Sequence, residues 1–392
     1  MKLAVLYPEH LGRPAARLIQ VAATLRALAA AGQSVHFLVG RFAGLDARLN
    51  ELGLAGVAGL GIEPVAMLQR GPGAALPFSW HGVYHRAALN RLRRLAGAGL
   101  GWVLVRHLKL ADWLLPRLAP TGLRLMFEAH ELFSQTAAEE GAPPDQVAAL
   151  AQAEARVFGG ADSLAAISAP LCAALTARPE VKRPVVLAPS GVDEAFFRAG
   201  AVDAAAREPG LVAYAGGLGA WKGVDLLIKA VAQTPAARLE VLGGEPGSAD
   251  WQRLAGLGQE LGLGGRLVMR PRTGQDAVRE LLGRASLAVW PGSARQRIAA
   301  EFTSPLKLFE YLAAGCAVLA PRLPAAEAVL THDTNAWLFA PDDPADLAQG
   351  LNALLADPEH AQRLAAAGRE LAKGYTWRAR AGALVAAMAA GA

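Results

Sequence analysis

The 392-residue sequence has few cysteines, few charged residues and no long uninterrupted hydrophobic run. Its two cysteines, Cys172 and Cys316, lie far apart without CxxC spacing, so the sequence indicates neither a disulfide framework nor a zinc site. Arg, Pro or Gly interrupts each apolar stretch before the ~20 residues that a membrane-spanning helix needs, and the apolar N-terminal run is too short for a signal peptide. Charged residues make up 19% and hydrophobic residues 53%, which excludes a wholly disordered chain. We therefore expect a soluble, cytoplasmic protein.

Short β-rich runs alternate with longer helical patterns, which is typical of a parallel α/β architecture. Leu3–Tyr7 predicts the first strand, Pro14–Ala31 a helix that Gly32 ends, and Ser34–Val39 the next strand. Further strands are predicted at Gly101–Arg106, Leu123–Phe127, Ser163–Ile167, Val185–Leu187, Leu211–Tyr214, Arg238–Leu242, Arg266–Met269, Leu287–Trp290 and Ala317–Leu319. Pro189–Asp193, together with the polar, Ala-rich stretch after it that ends with Arg207–Gly210, indicates an interdomain linker. We expect two doubly wound domains that join near residue 200, with ligands bound in a cleft between them.

The basic excess is confined to the first half of the chain. Residues 1–190 contain 19 Lys and Arg against 13 Asp and Glu. The densest basic stretch spans residues 80–94, which predicts either an amphipathic helix that meets an anionic membrane surface or a solvated helix face. The sequence favours no nucleic-acid partner, because no aromatic-interleaved basic tract or zinc-finger spacing is present.

Residues 303–315 carry the most informative pattern in the sequence. Ser304 suits an N-cap, Pro305 the first helical position and Gly315 a C-terminal stop, so a helix of about ten residues is predicted. The free amides and the dipole at its start would favour a phosphate at Ser304–Leu306.

Two charged residues of that helix extend the pattern. Lys307 could add a point charge for the same phosphate. Glu310 lies about 7–8 Å along the axis from Pro305, which suits a nucleotide whose diphosphate meets the helix start and whose ribose meets the carboxylate. The alternative is a well-capped helix with a surface Lys307–Glu310 pair.

A glycine-rich turn follows the predicted strand at Leu211–Tyr214. Gly216 and Gly217 would allow the backbone to approach an anion, and Lys222 would lie where the amides converge. The spacing fits neither the GxGxxG dinucleotide fingerprint nor a P-loop. The alternative is an ordinary strand-to-helix turn with an incidental lysine.

Polar residues also follow other predicted strands, where side chains are expected to point toward a ligand. His130 comes directly after Leu125–Ala129 and could orient a sugar or phosphate or move a proton, although a structural histidine is the alternative. Gly12 would allow close backbone approach and Arg13 would offer a phosphate fork. Arg272 could hold a nucleotide base, or be a solvated loop charge.

Taken in order, these segments resemble the retaining GT-B glycosyltransferases, specifically the large family 4, also called glycosyl transferases group 1. The resemblance spans most of the chain and rests on the joint order of its parts. The matching segments are Phe127–Glu131, Ala166–Ser168, Pro189–Asp193, Tyr214–Leu218 with Lys222–Asp225, Ser304–Tyr311 and Tyr375–Arg378.

The resemblance implies a GT-B fold with two Rossmann-like domains that face a central cleft. Residues 1–195 would bind the acceptor and residues 205–372 a UDP- or GDP-sugar, while a C-terminal helix at 376–392 crosses back to the first domain. The family typically needs no metal, so none is expected. The implied catalytic residues are His130, Lys222 and Glu301. The implied donor-binding residues are Gly12, Gly216, Gly217, Lys222, Arg272, Ser304, Pro305, Leu306, Lys307 and Glu310.

The sequence departs from the family pattern at three places. The family commonly has an arginine in the donor loop, where Gly217 and Leu218 stand here. Its paired glutamates are normally separated by seven residues, which would place the first at Phe302, one position after Glu301. The N-terminal Gly-Gly pair is replaced by Leu11–Arg13.

The leading functional hypothesis is a retaining transfer of a sugar from a nucleotide donor to an acceptor in envelope glycan or polysaccharide synthesis. Charge stabilisation of the departing diphosphate would be its main catalytic contribution. The acceptor could be a glycan, a lipid-linked sugar or a small molecule, and a basic helix at 80–94 would permit peripheral contact with the inner face of a membrane. Two alternatives remain open, a GT-B-shaped sugar-nucleotide epimerase and a non-catalytic nucleotide-sugar-binding protein.

Overall fold

The structure is a computed structural model that describes residues 1–12, 16–68, 80–199 and 207–391. For Ala16, Trp80, His81 and Ala299 it describes the backbone only. The predicted phosphate contact of Arg13 and residues 200–206 of the predicted linker therefore lie outside the described residues. The chain divides into two compact units, one formed by Met1–Pro189 with Trp377–Ala392 and the other by Ser190–Thr376.

The first unit is built on a parallel sheet. Its strands are β1 (Lys2–Tyr7), β2 (Ser34–Gly40), β3 (Leu60–Val65), β4 (Trp102–Val105), β5 (Arg124–Ala129), β6 (Ser163–Ala166) and β7 (Val185–Leu187). Within the described residues the strand order is β3–β2–β1–β4–β5–β6–β7, with every pairing parallel. The central strands are apolar and buried on both faces, as parallel strands covered by helices must be.

Helices follow these strands in sequence and cover the sheet. They are α1 (Ala16–Ala30), α2 (Leu45–Glu51), α3 (Trp80–Gly97), α4 (Leu108–Leu118), α5 (Phe133–Glu139), α6 (Pro144–Gly160) and α7 (Ala169–Thr176). The apolar side chains of β1, β2 and α1 form one core cluster, with Leu3, Phe37 and Leu25 fully buried.

The second unit repeats this architecture. It contains the helix α8 (Glu194–Ala199) and the strands β8 (Glu208–Ala215), β9 (Arg238–Leu242), β10 (Leu267–Arg270), β11 (Ala285–Val289), β12 (Ala317–Pro321) and β13 (Trp337–Phe339). Their order in the described residues is β10–β9–β8–β11–β12–β13, again parallel. The remaining helices are α9 (Val224–Ala232), α10 (Ala249–Glu260), α11 (Gln275–Arg284), α12 (Leu306–Ala313), α13 (Pro324–Glu327), α14 (Pro344–Ala356) and α15 (Pro358–Ala372).

The last helix, α16 (Trp377–Ala390), belongs to the first unit. Ala381, Leu384 and Met388 lie on one face of α16 and are buried in the same core cluster as β1 and α1. Their spacing of three and four residues is that of a helix face turned toward a core. The chain therefore returns to its first unit to complete the core there.

The predicted parallel α/β architecture is confirmed, but the sequence pattern missed two edge strands. The strand β3 contains Gly61 and Pro64, which weaken a strand signal and are tolerated because β3 is an edge strand. The strand β13 has three residues and lies at the edge of the second sheet. Short edge strands carry too little periodicity to stand out in a sequence.

The predicted linker extended too far at its C-terminal end. Glu208–Gly210 begin β8, and the Arg207 guanidinium donates hydrogen bonds to the carbonyls of Leu282 at 3.0 Å and Ala314 at 2.7 Å. The sequence-based boundary at residue 195 falls in α8, whose Phe196 is buried in a core cluster of the second unit. These contacts place Phe196 and Arg207, on either side of residues 200–206, in the second unit.

In the parts of the chain that the structure describes, none of the helices combines the length and the apolar character that crossing a bilayer requires.

Candidate functional site

The glycine-rich turn of the second unit begins where β8 ends. Tyr214 is fully buried near the end of the strand, and its hydroxyl donates a hydrogen bond to the carbonyl of Gly217 at 2.6 Å. Gly216 has a φ of 150°, a conformation that side-chain-bearing residues rarely adopt. Its N–H donates to the carbonyl of Leu242 at the end of β9, at 2.9 Å. The turn is therefore fixed to two neighbouring strands.

Lys307, in the first turn of α12, reaches this glycine turn. Its Nζ lies 2.8 Å from the Tyr214 hydroxyl and 4.1 Å from the centre of the Tyr214 ring. A Cβ at Gly216 would lie 2.5 Å from the same Nζ, so the ammonium group occupies the space that the missing side chain leaves. The structure thus brings together two of the predicted residues, Gly216 and Lys307, which are distant in sequence.

Lys222 lies in a 3₁₀ turn, Ala220–Lys222, that connects the glycine turn to α9. Its Nζ is 3.2 Å from the centre of the half-exposed Trp221 ring, a cation–π contact. Burial lowers the pKa of Lys222 to about 8. Most Lys222 side chains are therefore charged at neutral pH. Burial still disfavours the charged form, and a bound anion would offset that unfavourable free energy.

The charges of Lys307 and Glu310 are also perturbed. Burial and the neighbouring Lys222 hold the pKa of Lys307 well below the ordinary lysine value, and Glu310 opposes that shift. Burial raises the pKa of Glu310 to about 7, against the lowering effects of Lys307, Gln275 and Arg279. Two lysines and one carboxyl group with shifted pKa values at one glycine turn form a candidate functional site.

The start of α12 differs from the sequence-based prediction. The helix begins at Leu306 with Pro305 at the N-cap, and the Ser304 hydroxyl does not cap it. Instead that hydroxyl accepts a hydrogen bond from the Ser190 N–H at 2.8 Å, and the Ser190 hydroxyl donates to the Ser304 carbonyl at 2.8 Å. Pro305 has no N–H, so an anion here could be met only by the N–H groups of Ser304, Leu306 and Lys307. Gly315 ends the helix with a φ of 69°, as predicted.

Glu301 lies in a π-helical turn, Ile298–Phe302, just before α12. Its carboxylate is 2.8 Å from the Nε of Arg297, a surface ion pair at i,i+4. A π-helical turn holds one more residue than an α-helical turn. Glu301 and Glu310 are nine positions apart, whereas the paired glutamates of the family that the sequence resembles are eight positions apart. The extra residue of the π-helical turn is a physical reason for this difference.

Arg272 is exposed on the loop after β10, and its backbone N–H donates to the carbonyl of Gly244 at 2.9 Å. Gly217, which follows Gly216, has open space where a Cβ would lie. Neither residue approaches Lys307 as closely as Gly216 and Tyr214 do in the described contacts. Their predicted roles toward a donor remain predictions.

In the first unit, His130 follows β5 and has both ring nitrogens engaged. Its Nδ1 lies 3.3 Å from a guanidinium nitrogen of Arg106, and its Nε2 contacts the carboxylate of Glu128. A guanidinium group can only donate, so Nδ1 accepts and Nε2 carries the proton. Burial and Arg106 lower the pKa of His130 to about 4, although Glu128 opposes the shift. His130 is therefore a neutral imidazole at pH 7.

Glu128 connects His130 to the C-terminal helix. The Arg380 guanidinium of α16 contacts its second carboxylate oxygen, and Arg380 is only 3% exposed. Burial would raise the pKa of Glu128, but Arg380, His130 and Arg106 together hold it well below the ordinary value. Arg380 also donates to the Pro189 carbonyl and to the Thr24 hydroxyl, both at 3.1 Å.

Gly12 and the basic helix α3 also lie in the first unit. The Gly12 N–H donates to His10 Nδ1 at 3.0 Å, and a Cβ at Gly12 would lie 2.7 Å from that ring. In α3, Tyr84 is fully buried and Arg91 is ion-paired with Glu63 at 2.7 Å, so part of the predicted basic face is structural. The arginines of α3 that remain exposed are Arg86, Arg93 and Arg94.

Sequence reasoning did not find Tyr214, Arg106, Glu128 or Arg380. Glu128 did give a signal, because a carboxylate in the apolar run Leu125–Ala129 must have a buried partner. Its partner Arg380 is 252 positions away in sequence, so no local pattern could connect the two. Tyr214 looked like one more apolar residue of a buried strand.

Comparison with known proteins finds a family model that matches most of the second unit. Residues 201–371 match the model of the family described as glycosyl transferases group 1. This part of the chain is therefore similar to a glycosyl transferases group 1 domain. The glycine turn, Lys222, Lys307 and Glu310 all lie within the matched residues.

One curated relative, D-inositol 3-phosphate glycosyltransferase 1 of Catenulispora acidiphila, is 30% identical over 260 residues, which are 61% of this chain. The chain spans 59% of the length of that relative and 41% of the length of a second, the D-inositol 3-phosphate glycosyltransferase of Xylanimonas cellulosilytica.

Solved structures resemble the whole chain. The sucrose-phosphate synthase of Thermosynechococcus elongatus has a TM-score of 0.73 at 21% identity, and each chain is covered completely. Anabaena HepE in complex with UDP and glucose has a TM-score of 0.74 at 15% identity, again with complete coverage of both chains. Together with the two parallel sheets, these likenesses confirm the predicted fold class, two Rossmann-like domains of the GT-B type.

Proposed function

We propose that the protein is a retaining glycosyltransferase of family 4 that moves a sugar from a UDP- or GDP-sugar to an acceptor in envelope glycan or polysaccharide biosynthesis. The second unit would bind the donor, and the first unit the acceptor. The observation that carries the proposal is the convergence of Gly216 and Lys307 at the end of β8, with Lys222 and Glu310 acting on the same ammonium group. This convergence lies inside the residues that match the model of glycosyl transferases group 1, which supports the proposal.

The charges of the glycine turn suit a diphosphate. Lys222 and Lys307 are two cations whose charged forms burial disfavours, and a bound diphosphate would favour both. The N–H groups of Leu306 and Lys307 lie in the first turn of α12, where the helix supplies no partner for them. As the sugar leaves, negative charge grows on the diphosphate, and these fixed donors would stabilise it.

Glu310 is placed to hold the nucleotide's ribose. It lies four residues after Leu306, about 6 Å along the helix axis, which is the distance from a diphosphate to the ribose hydroxyl groups of one nucleotide. A carboxylate can accept hydrogen bonds from both hydroxyl groups of a ribose. Bound UDP and glucose in the structurally similar HepE support a donor of this class.

His130 and Glu301 are proposed to meet the sugar that is transferred. His130 is neutral, so it can orient a hydroxyl group by accepting a hydrogen bond at Nδ1 after the substrate displaces Arg106. Glu301 would leave Arg297 to meet the sugar. Neutralisation of the diphosphate by the two lysines requires no metal ion, and we propose a metal-independent reaction.

We also propose a cytoplasmic protein that contacts anionic lipid through α3. The exposed arginines of that helix support the proposal, because each basic residue near an anionic surface contributes about 1 kcal/mol to binding. Such contact would bring the first unit to a lipid-linked acceptor.

A thermal-shift screen of UDP-, GDP- and ADP-sugars tests the proposal, because a ligand that binds only the folded protein raises its melting temperature. We expect a UDP- or GDP-sugar to give the largest shift. Turnover of that donor is then measured with an acceptor panel that includes D-inositol 3-phosphate, with and without EDTA, and product NMR determines the anomeric configuration. A protein that no nucleotide sugar stabilises would contradict the proposal.

A non-catalytic nucleotide-sugar-binding protein is the second candidate, favoured by the pairing of Glu301 with Arg297. Donor binding without turnover across the whole acceptor panel would support it over the transferase.

A further inference from the structure

The side-chain nitrogen of Lys307 lies at a defined place on the glycine turn, between Tyr214 and Gly216. We call this place the Lys307 seat. The Tyr214 hydroxyl donates its single proton to the Gly217 carbonyl at 2.6 Å, so toward Lys307 Nζ, 2.8 Å away, the same oxygen can only accept. The Nζ also lies 4.1 Å from the centre of the Tyr214 ring. One buried tyrosine therefore orients the ammonium group through its oxygen and its ring.

The seat depends on two glycines. A Cβ at Gly216 would lie 2.5 Å from Lys307 Nζ and 3.0 Å from its Cε. A Cβ at Gly243 would lie 1.9 Å from the Gly216 carbonyl oxygen, so Gly243 lets the turn pack against the end of β9. The backbone of the turn is thus held in place independently of Lys307.

The charges around the seat leave Lys307 short of anionic partners. Lys222 faces it from the 3₁₀ turn and Glu310 from its own helix, while the Tyr214 hydroxyl is neutral. When protonated, Nζ has three N–H donors, of which Tyr214 accepts one. Two lysines therefore share one carboxyl group, and burial makes that group resist ionisation. A bound anion would stabilise the charged forms of both lysines.

Building on the proposed function, we infer that Tyr214 is a positioning residue that holds Lys307 Nζ at Gly216, where Lys307 serves as the second cation for the donor's diphosphate. Lys307 resists protonation in the free protein because burial and Lys222 lower its pKa. A diphosphate beside Nζ favours the charged form, so the lysine gains the proton from the solvent when the diphosphate binds.

Isothermal titration with UDP and GDP at pH 7.5, in HEPES and in Tris, tests this inference. The two buffers differ in ionisation enthalpy, so the difference in observed heat gives the protons taken up. Uridine and guanosine, which carry no phosphate, are titrated by competition. The test variants are Tyr214→Phe and Lys307→Met. Their controls are Tyr84→Phe, which changes a buried tyrosine of the first unit, and Lys229→Met, which changes an exposed lysine of the second unit.

We expect Lys307→Met to weaken nucleoside diphosphate binding about 10–100-fold, as for loss of a hydrogen bond to a charged group. The proton uptake should fall to the part that Lys222, with its pKa of about 8, contributes at pH 7.5. Tyr214→Phe should weaken nucleoside diphosphate binding about fivefold, as for loss of one hydrogen bond, and should reduce the proton uptake. The phenyl ring keeps the packing but no longer orients the Lys307 side chain. Nucleoside binding should not change in either variant. A purely structural role for Tyr214 would instead lower the melting temperature and leave the proton uptake as in the wild type.

If the wild type binds UDP or GDP and both Lys307→Met and Tyr214→Phe bind it with the same affinity, the inference is overturned and the proposed function stands. A wild-type protein that binds neither nucleotide would overturn both. Circular dichroism checks that each variant is folded, and Lys307→Arg, which keeps the charge, should recover part of the affinity but not the pH dependence.

Discussion

At the scale of single residues, the site holds its ionisable groups in states that water would not favour. Lys222 has a pKa of about 8 and Glu310 a pKa of about 7, each shifted mainly by burial. Burial costs such groups free energy in the free protein, and a ligand that supplies the missing partner lowers that cost. This is a physical reason to expect specific binding at the glycine turn.

Lys222→Ala should weaken donor binding about 10–100-fold, since a hydrogen bond to a charged group contributes about 1.5–3 kcal/mol. In the wild type, affinity should also fall as the pH rises through about 8, because neutral Lys222 no longer attracts the diphosphate. The variant should lack that step. Titration calorimetry at pH 7 and pH 9 measures both effects, with Lys229→Ala as the control, and equal affinities for wild type and Lys222→Ala would reject the assignment.

Glu310→Gln should stabilise the fold at alkaline pH while it weakens donor binding. The carboxyl group has a pKa of about 7 in the folded protein against an ordinary value of 4.5, so the folded state binds the proton more tightly. Its contribution to stability therefore falls between about pH 4.5 and pH 7. The melting temperature of the variant, relative to wild type, should be higher at pH 8 than at pH 5.

The exposed Glu327→Gln is the matched control for this measurement, and its melting temperature should follow wild type at both pH values. A Glu310→Gln variant that melts like wild type at pH 8 and binds the donor with wild-type affinity would contradict both assignments. It would show that the folded state does not raise the pKa of Glu310 and that Glu310 is not part of the site.

Much of the residue-level site could be predicted from the sequence, because its signals are local. Lys222 follows a glycine turn, and Glu310 follows a recognisable helix start within a few residues. The seat of Lys307 could not be predicted, because Tyr214 lies 93 positions away and only the sheet brings β8 beside α12.

At the scale of elements, the C-terminal helix α16 supports the residue predicted to act in catalysis. Arg380 of α16 contacts Glu128 of β5, and Glu128 contacts His130 directly after that strand. The same guanidinium donates to Pro189, the last residue of the first unit before the chain enters the second. A helix far along the chain thus fixes the end of β5.

Arg380→Met should destabilise the protein by about 3–5 kcal/mol, because it leaves the Glu128 carboxylate buried without its partner. The double variant Glu128→Gln with Arg380→Met should cost less than the sum of the two single variants, since the carboxylate and its guanidinium partner are removed together. Urea denaturation measures these differences. The exposed Arg378→Met is the control on the same helix, and a loss no larger than that control would count against the buried pair.

The helix α12 shows where local prediction reached its limit at this scale. Its stop at Gly315 followed from conformational preference alone. Its start did not, because the Ser304 hydroxyl accepts a hydrogen bond from Ser190 instead of capping the helix. Ser190 is 114 positions away, and a long-range partner can displace a local cap without any trace in the local sequence.

At the scale of the whole molecule, the two halves of the chain differ in charge balance, although the six described strands of the second sheet follow the order of the first six strands of the first sheet. The basic excess lies in residues 1–190, and the exposed part of it on α3 includes Arg93 and Arg94. Such a distribution favours contact between the first unit and an anionic surface.

Binding to vesicles of phosphatidylglycerol and phosphatidylcholine should therefore fall at least tenfold in Arg93→Glu/Arg94→Glu, given about 1 kcal/mol for each basic residue lost near an anionic surface. The double variant Arg322→Glu/Arg363→Glu changes the net charge equally on exposed sites of the second unit and should bind like wild type. Sedimentation at 50 mM and 500 mM salt measures the binding, which should weaken at the higher salt. Equal binding of both double variants would exclude α3 as the contact.

The sequence by itself determined the parallel α/β architecture and most of its strands, because hydrophobic periodicity and glycine stops are written in neighbouring residues. It also determined where Lys222 and Glu310 stand, since each follows a local turn or helix start. Only the tertiary structure decided that Lys307 fills the space at Gly216 and that Arg380 holds Glu128 against His130. Those partners are distant in sequence, and a buried charge finds its partner through packing that no local pattern encodes.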